Sequence, residues 1–170
     1  MTNRVAIALA VVALIACAKK SAPPAQSDSS FARLQQRGET AMGVDQYTSR
    51  HVFEPSPDGG RIVLQRQEGE GEGEGEADSA GTETIRAHMR TIAAAFSNGD
   101  FALPGFVHAT SEVPGTAVMK KLHAEITYSP RDLPRGGEVL ISTKNPQAVA
   151  AVHEFLAFQR MDHRAGMHME

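Results

Sequence analysis

The sequence is poor in residues that react through sulfur or that stack on sugars and bases. Among 170 residues there is one cysteine, no tryptophan and an aromatic content of 5%. A single cysteine excludes an intramolecular disulfide and a site built from several thiolates. Too few aromatic rings are present for a carbohydrate-stacking platform. The formal net charge is −3, and without an extended basic cluster we expect no nucleic-acid partner.

Recognisable catalytic signatures are also missing. The chain contains no G-x-S-x-G, no P-loop, no G-x-G-x-x-G and no H-E-x-x-H, which are short motifs with a known catalytic or cofactor-binding geometry. The sequence therefore favours a binding module over an enzyme. An enzyme with an unfamiliar site around His108 and His153 is an alternative.

The first residues predict a secretion signal and a lipid anchor. Arg4 precedes an apolar run over residues 5–16, which is too short for a membrane-spanning helix of about 20 residues and typical of a signal peptide. Leu14-Ile15-Ala16-Cys17 resembles the lipobox of bacterial prolipoproteins. The resemblance implies cleavage after residue 16 and acylation of Cys17, with fatty chains such as palmitate. The alternative is a secreted protein whose signal happens to contain a cysteine.

The anchor determines the expected location and leaves the mature chain without a thiol. Cys17 would hold the protein to a membrane of the cell envelope, facing the periplasm, because several acyl chains anchor firmly. Ala18 rather than Asp follows Cys17, so the familiar inner-membrane retention signal is absent. The outer membrane is therefore the expected membrane.

Composition divides the remainder into a linker, one domain and a tail. Residues 17–30 are rich in Ser, Pro and Ala and predict a disordered linker. Residues 31–164 are expected to form a single domain that begins with a short helix within 31–48. Residues 68–76 alternate Glu and Gly and predict a solvated loop over 68–77, whose other interpretation is weak cation attraction. Residues 165–170 form a tail rich in Met and His.

An internal repeat predicts the fold. Pro57-Asp58-Gly59-Gly60 and Pro134-Arg135-Gly136-Gly137 each separate two β-prone segments, as expected for hairpin turns. Helical spacing follows each hairpin, over about 82–97 and 146–163. We therefore predict an α+β fold of duplicated ββα units, in which a four-stranded antiparallel sheet carries two helices on one face. Residues 101–122 are expected to be irregular chain over the surface.

Histidine and methionine are the remaining candidates for chemistry. His88 and His153 occupy comparable places in the two repeat helices, so the repeat predicts that they meet, with His108 or His163 completing a metal site. Met161, Met167, His168 and Met169 add soft ligands near the C-terminus. This donor set suits copper, and histidine alone also suits zinc. The alternatives are histidines bonded to backbone carbonyls, a frayed tail, and a module that docks an envelope protein.

Ordered motifs between residues 51 and 163 resemble a group of small bacterial proteins. The resemblance implies the same ββα–ββα domain and implies no activity. The Gly/Glu segment and the Met-rich tail look peculiar to this chain. The motifs that carry the resemblance are His51-Val52-Phe53-Glu54, Asp58-Gly59-Gly60, Ile85-Arg86-Ala87-His88, Gly99-Asp100-Phe101, His108, Pro114-Gly115, Pro146, His153-Glu154-Phe155-Leu156, Gln159 and Asp162-His163.

Overall fold

A computed structural model describes residues 28–67 and 76–165. The helices are α1 (Asp28–Met42), α2 (Glu76–Ser97), α3 (Ala102–His108), α4 (Thr116–Lys121) and α5 (Pro146–Asp162). The strands are β1 (Ser49–Ser56), β2 (Gly59–Arg66), β3 (Ile126–Leu133) and β4 (Gly136–Thr143), and a short 3-10 helix, His123–Glu125, precedes β3. The predicted α+β class and the four-stranded antiparallel sheet are therefore confirmed.

The sheet joins two hairpins side by side. Its strand order is β1-β2-β4-β3, and every neighbouring pair is antiparallel. His51 lies opposite Leu64 and Phe53 opposite Ile62, so these residues share one face of the first hairpin. Leu64 lies opposite Gly137 and Ile62 opposite Val139, which continues that face into the second hairpin.

Both long helices pack on this one face of the sheet. Helix α2 lies against β3 and β4, and α5 lies against β1 and β2. Ile85 and Leu156 from the two helices and Leu64 from the sheet are each 0% exposed, and burial of such a side chain stabilises the fold by roughly 1.5–3 kcal/mol. Helix α5 begins as predicted, because the Asn145 side chain accepts a hydrogen bond from the Gln147 N–H and Pro146 occupies the first turn.

The segment that follows α2 is more ordered than the sequence predicts. We expected irregular chain over residues 101–122, but α3 and α4 form there and Met119 is 0% exposed. Gly115 brings this segment against α5: its φ is +81°, and a Cβ atom there would lie 2.2 Å from the Ala151 carbonyl oxygen. Only glycine permits both the left-handed backbone and this approach. The prediction of irregular chain is therefore wrong for this stretch, whose Pro-Gly pairs at 104–105 and 114–115 lie at or inside short helices.

Several predicted boundaries were also wrong. Helix α1 begins at Asp28, inside the predicted linker 17–30, and ends at Met42, where Gly43 adopts a positive φ. Helix α2 begins at Glu76, inside the predicted loop 68–77. Cys17, the predicted signal 1–16, most of the linker, residues 68–75 and residues 166–170 lie outside the described residues. Within the described ranges, no helix has the length and apolar character needed to cross a membrane.

Candidate functional site: a histidine-lined cavity

An apolar cavity of about 70 Å³ lies between the first hairpin and side chains of α1, α2, α3 and α5. Four histidines line it, one each from β1, α2, α3 and the end of α5, namely His51, His88, His108 and His163. Met42 and Met89 also line the cavity, and the remaining lining residues are mainly aliphatic or aromatic. The fold thus gathers imidazole and thioether groups from separate elements at one place.

Two of the four rings are held neutral by their surroundings. Burial lowers the pKa of His51 to about 4, and the nearby His88 lowers it further because two positive charges would repel each other. Burial also lowers the pKa of His88 to about 4. Within the described chain neither ring forms a hydrogen bond. At neutral pH each ring therefore keeps a nitrogen lone pair that no hydrogen bond in this region occupies.

His163 stands at the centre of the ring cluster. Its ring stacks on His51 with 4.9 Å between centroids and meets His108 edge-on at 5.1 Å. Burial lowers its pKa well below the usual value, and His51 and His108 lower it further. Its Nδ1 atom is buried and has no hydrogen-bond partner among the described residues. A buried polar atom in this state costs about 1–3 kcal/mol and calls for an explanation, such as a ligand.

His108 differs from the other three rings because both of its nitrogens are occupied. Its Nδ1 contacts the Asp162 carboxylate, and its Nε2 lies 2.9 Å from Gln159 Oε1. The His108 side chain is 1% exposed and that of Asp162 is 9% exposed. This buried pair fixes the orientation of the ring that packs against His163. In this arrangement His108 positions its neighbour and has no free nitrogen for a ligand.

The cavity adjoins an open groove on the protein surface. The groove follows β1 over residues 49–54, and Arg160 near the end of α5 lines it together with His163, Arg164 and Ala165 just beyond that helix. We call it the edge groove. Gln46, His51, Phe53 and His163 line both spaces. Gln46 Oε1, like His163 Nδ1, is buried and unpartnered within the described residues. Two unpaired polar atoms therefore lie at the junction of cavity and groove.

The predicted site residues fall into three groups. His88, His108 and His163 are brought to the cavity, whereas His153 is not, because its Nε2 lies 2.8 Å from the Ser56 carbonyl oxygen. The alternative of a histidine bonded to a backbone carbonyl is thus the arrangement found for His153. Met161 is 44% exposed on α5 and lines neither space. Met167, His168 and Met169 lie outside the described residues.

His51 is the site residue that sequence reasoning missed. The segment around it is correctly predicted as a strand, and a strand sends every second residue to the same face. Phe53 is an obvious core residue, so His51, two positions earlier, points to the same side. That alternation was the available signal. The contact with His163 could not be read from it, since the two residues are far apart in the chain.

The rings do not form a ready-made metal site. Among the described residues, no three His, Asp or Glu side chains are arranged as a ligand set for a metal ion. Stacked rings such as His51 and His163 would have to turn before they could share an ion.

Comparisons with known proteins give no relative from which a function could be transferred. No family model, no curated protein and no solved structure matches this chain. The lipobox and the resemblance to small bacterial proteins therefore stay predictions.

Proposed function

We propose that this chain is a non-enzymatic envelope lipoprotein, anchored through Cys17, whose domain binds a transition metal, with monovalent copper as the preferred ion. One observation supports the binding role above all. Three neutral or weakly basic rings and two thioethers border one apolar cavity, namely His51, His88, His163, Met42 and Met89. The envelope location rests on the N-terminal sequence alone.

The chemistry of this donor set favours a soft ion of low charge. Imidazole and thioether ligands suit cuprous ion, and carboxylates would be expected around a harder cation. Among residues 28–67 and 76–165, no Asp or Glu side chain lines the cavity. A neutral ligand set leaves the full charge of the ion uncompensated in an apolar space, so a single charge is easier to bury than two. Zinc is therefore the second candidate.

We expect three of the rings to be able to turn toward a bound ion. His51, His88 and His163 have no hydrogen bond to break within the described chain, so a turn of each ring needs only the space that the cavity provides. His108 is held by Asp162 and Gln159 and would support His163 from its edge. Such supporting partners orient metal-bound histidines in known sites.

A titration of the full chain with cuprous ion tests the proposal. The protein, purified in detergent, competes anaerobically with a chromogenic chelator for the ion. We expect saturable binding near one ion per chain. The double variant His51→Phe/His163→Phe keeps the ring volume, removes the nitrogens and should weaken binding at least about tenfold.

The matched control is His123→Gln. His123 lies outside the cavity, where its Nδ1 is 2.9 Å from the Ser97 carbonyl oxygen. Glutamine retains a polar group there, and binding should match that of the unmodified chain. Non-saturable uptake, or equal affinity in the double variant and the control, would refute a metal site in the cavity.

A further inference from the structure

Strand β1 lies at one edge of the sheet that residues 28–67 and 76–165 form, next to β2. In antiparallel strands, residue pairs that exchange backbone hydrogen bonds alternate with pairs that do not. The Gln67 N–H donates to the Thr48 carbonyl oxygen, which makes these two residues a bonded pair just before β1. Counting on from Thr48, the backbone groups of Arg50 and Val52 point to β2. Those of His51 and Phe53 point away from the sheet.

The hydrogen bonds on the other side of β2 give the same assignment. The Arg66 N–H donates to the Arg135 carbonyl oxygen, just before β4. Even-numbered residues of β2 therefore bond on the β4 side, and odd-numbered residues bond β1. Leu64 lies opposite His51 in the register, so β2 does not use the backbone groups of His51.

The outward backbone groups of β1 form one short segment. Within the described chain, neither His51 nor Phe53 has a backbone hydrogen-bond partner on this side. At one end, the Ser49 N–H donates to the Gln46 carbonyl oxygen, and at the other end Pro55 has no N–H. The N–H and C=O groups of His51 and Phe53 are therefore left for an added strand, which is a common way of binding a peptide.

The opposite edge of the sheet is less suited to such pairing. The register of β2 with β4 and of β4 with β3 carries the alternation across the sheet, so that Tyr128, Pro130 and Asp132 of β3 point outward. A proline in the middle of an edge strand removes a donor and discourages the addition of another strand. Strand β1 has its proline near the end, and its outward donors are consecutive.

The edge groove runs along the free edge of β1. Gln46 and His163 also line it, and Gln46 Oε1 and His163 Nδ1 are buried without a partner in the described region. Gln46 is only 3% exposed, so its unpaired oxygen calls for an explanation. A polar side chain of an added strand, on the same face as His51, would be placed to satisfy such an atom. The groove thus offers hydrogen bonds to both the backbone and a side chain of a peptide.

Charge indicates which peptide fits. Arg50 and Arg160 line the groove, and neither pairs with an acid in the described part of the chain. Glu54 also lines the groove, but Arg61 holds it through a hydrogen bond of 2.7 Å. The groove is therefore positive and complementary to a segment that carries Asp or Glu. A second copy of the chain would bring the same two arginines against each other.

We propose that the edge groove binds an extended, acidic segment of a partner protein, which joins the sheet as a strand beside β1. The segment hydrogen-bonds to the backbone of His51 and Phe53 and places acidic side chains near Arg50 and Arg160. This interaction does not depend on the proposed metal site, and it is tested without metal.

A peptide probe on the metal-free full chain tests the strand addition. The probe is a blocked pentapeptide, Glu-Thr-Val-Thr-Glu, and two analogues are N-methylated on the backbone, one at its second and fourth residues and one at its third and fifth. Alternate amides of a strand face its neighbour. One analogue should therefore lose at least about tenfold in affinity, while the other binds like the parent peptide.

Amide hydrogen exchange locates the added strand on the protein. At saturation, the probe should slow exchange of the His51 and Phe53 amide protons at least about tenfold. The amide protons of Arg50 and Val52 already bond β2, so their exchange should change little. This alternation would not arise from general tightening of the domain.

Charge reversal tests the acidic character of the partner. Arg50→Glu/Arg160→Glu should weaken binding of the probe at least about threefold and favour the peptide Lys-Thr-Val-Thr-Lys instead. The matched control is Arg131→Glu/Lys144→Glu, because both residues are exposed and line neither the cavity nor the edge groove. The control should bind the probe like the unmodified chain.

Three results would overturn the proposal. Equal losses in the two methylated analogues, or no saturable binding of the probe, would exclude strand addition at β1. Equal affinity of the unmodified chain for the Glu and Lys peptides would exclude an acidic partner. Protection of the His51 and Phe53 amides that rises with protein concentration, in the absence of peptide, would assign this edge to a second copy of the chain.

Discussion

The two hairpins place different rings at equivalent positions. His51 is the third residue of β1 and Tyr128 the third residue of β3, and each lies opposite the sixth residue of the following strand, Leu64 or Ile141. Both side chains point to the helix-covered face. Tyr128 packs edge-on against Phe96 at 5.7 Å between ring centroids, whereas His51 borders the cavity.

The difference comes from what covers each hairpin. Phe96, Phe101 and Phe155 contact one another with centroids 4.5 to 6.4 Å apart, and Phe96 packs on Tyr128 of the second hairpin. Phe96 and Phe155 also line the cavity. Beside the first hairpin, α1 and α3 line the cavity with smaller side chains, among them Gly38, Ala41 and Pro104. One half of the sheet therefore has a filled core, and the other has a space lined by polar rings.

The two repeat helices differ in the same way. His88 on α2 lines the cavity, while His153 on α5 bonds the Ser56 carbonyl oxygen at the turn of the first hairpin. The two ββα units thus have the same order of elements, but the histidines of their helices have different surroundings. Potential ligands thus belong to the first half and to the end of α5.

The largest effect should appear when the cavity is acidified. The pKa of His51 and that of His88 lie at about 4 in the folded state against 6.5 when unperturbed. The unfolded chain therefore binds more protons between these values, and stability falls as the pH decreases from about 6.5 to about 4. Each ring contributes up to about 3 kcal/mol to this loss, and His163 adds to it because its pKa is also lowered. Urea unfolding at successive pH values measures the slope.

Variants test whether the pH dependence of the free energy of unfolding comes from the histidines around the first hairpin. His51→Phe/His88→Leu removes two titrating rings and should flatten the dependence between pH 6.5 and 4. Leu156→Val, a substitution of a buried residue that does not titrate in the second repeat helix, should lower stability without changing that dependence. Stability that is already flat from pH 7 to pH 5 in the unmodified chain would contradict the neutral, buried state of these rings.

A smaller loss is expected when the support of His108 is removed. Asp162→Ala leaves the buried Nδ1 atom of His108 without its carboxylate partner, and a buried hydrogen-bonding group left unsatisfied costs about 1–3 kcal/mol. Asp162→Asn keeps an oxygen acceptor and should cost less. Both values come from urea unfolding at pH 7. If the alanine variant is as stable as the asparagine variant, the carboxylate does not hold the ring.

Much of the fold could be predicted because its signals are local. The Pro-x-Gly-Gly turns, the Asn145-Pro146 helix start and the alternation of apolar residues each act over a few positions. Helices α3 and α4 were missed because their apolar residues are few and lie between glycines and prolines. Helix α4 packs on α5, which approaches Gly115 closely, and α3 packs on α1. Such long-range contacts leave no local pattern.

The sequence predicted the residue types of the candidate site, but not which of those residues lie together. The shortage of sulfur nucleophiles pointed to histidine and methionine, and His88, His108 and His163 do meet at the cavity. Repeat symmetry predicted that His153 would join them, which assumes that equivalent helix positions face the same space. The two helices cover different strands, so His153 faces a hairpin turn instead.

The smallest change in stability is expected for a substitution beside the second hairpin, where the core is filled. The Tyr128 hydroxyl is buried without a hydrogen-bond partner in the described region, and burial raises the pKa of this phenol. Tyr128→Phe removes the polar atom and keeps the ring that packs on Phe96, so stability should stay level or rise by about 1 kcal/mol. The same measurement on His51→Phe at pH 7 gives the value for the equivalent position beside the cavity. A loss above about 1 kcal/mol for Tyr128→Phe would show that the hydroxyl is satisfied, and the two halves would then differ less than their packing suggests.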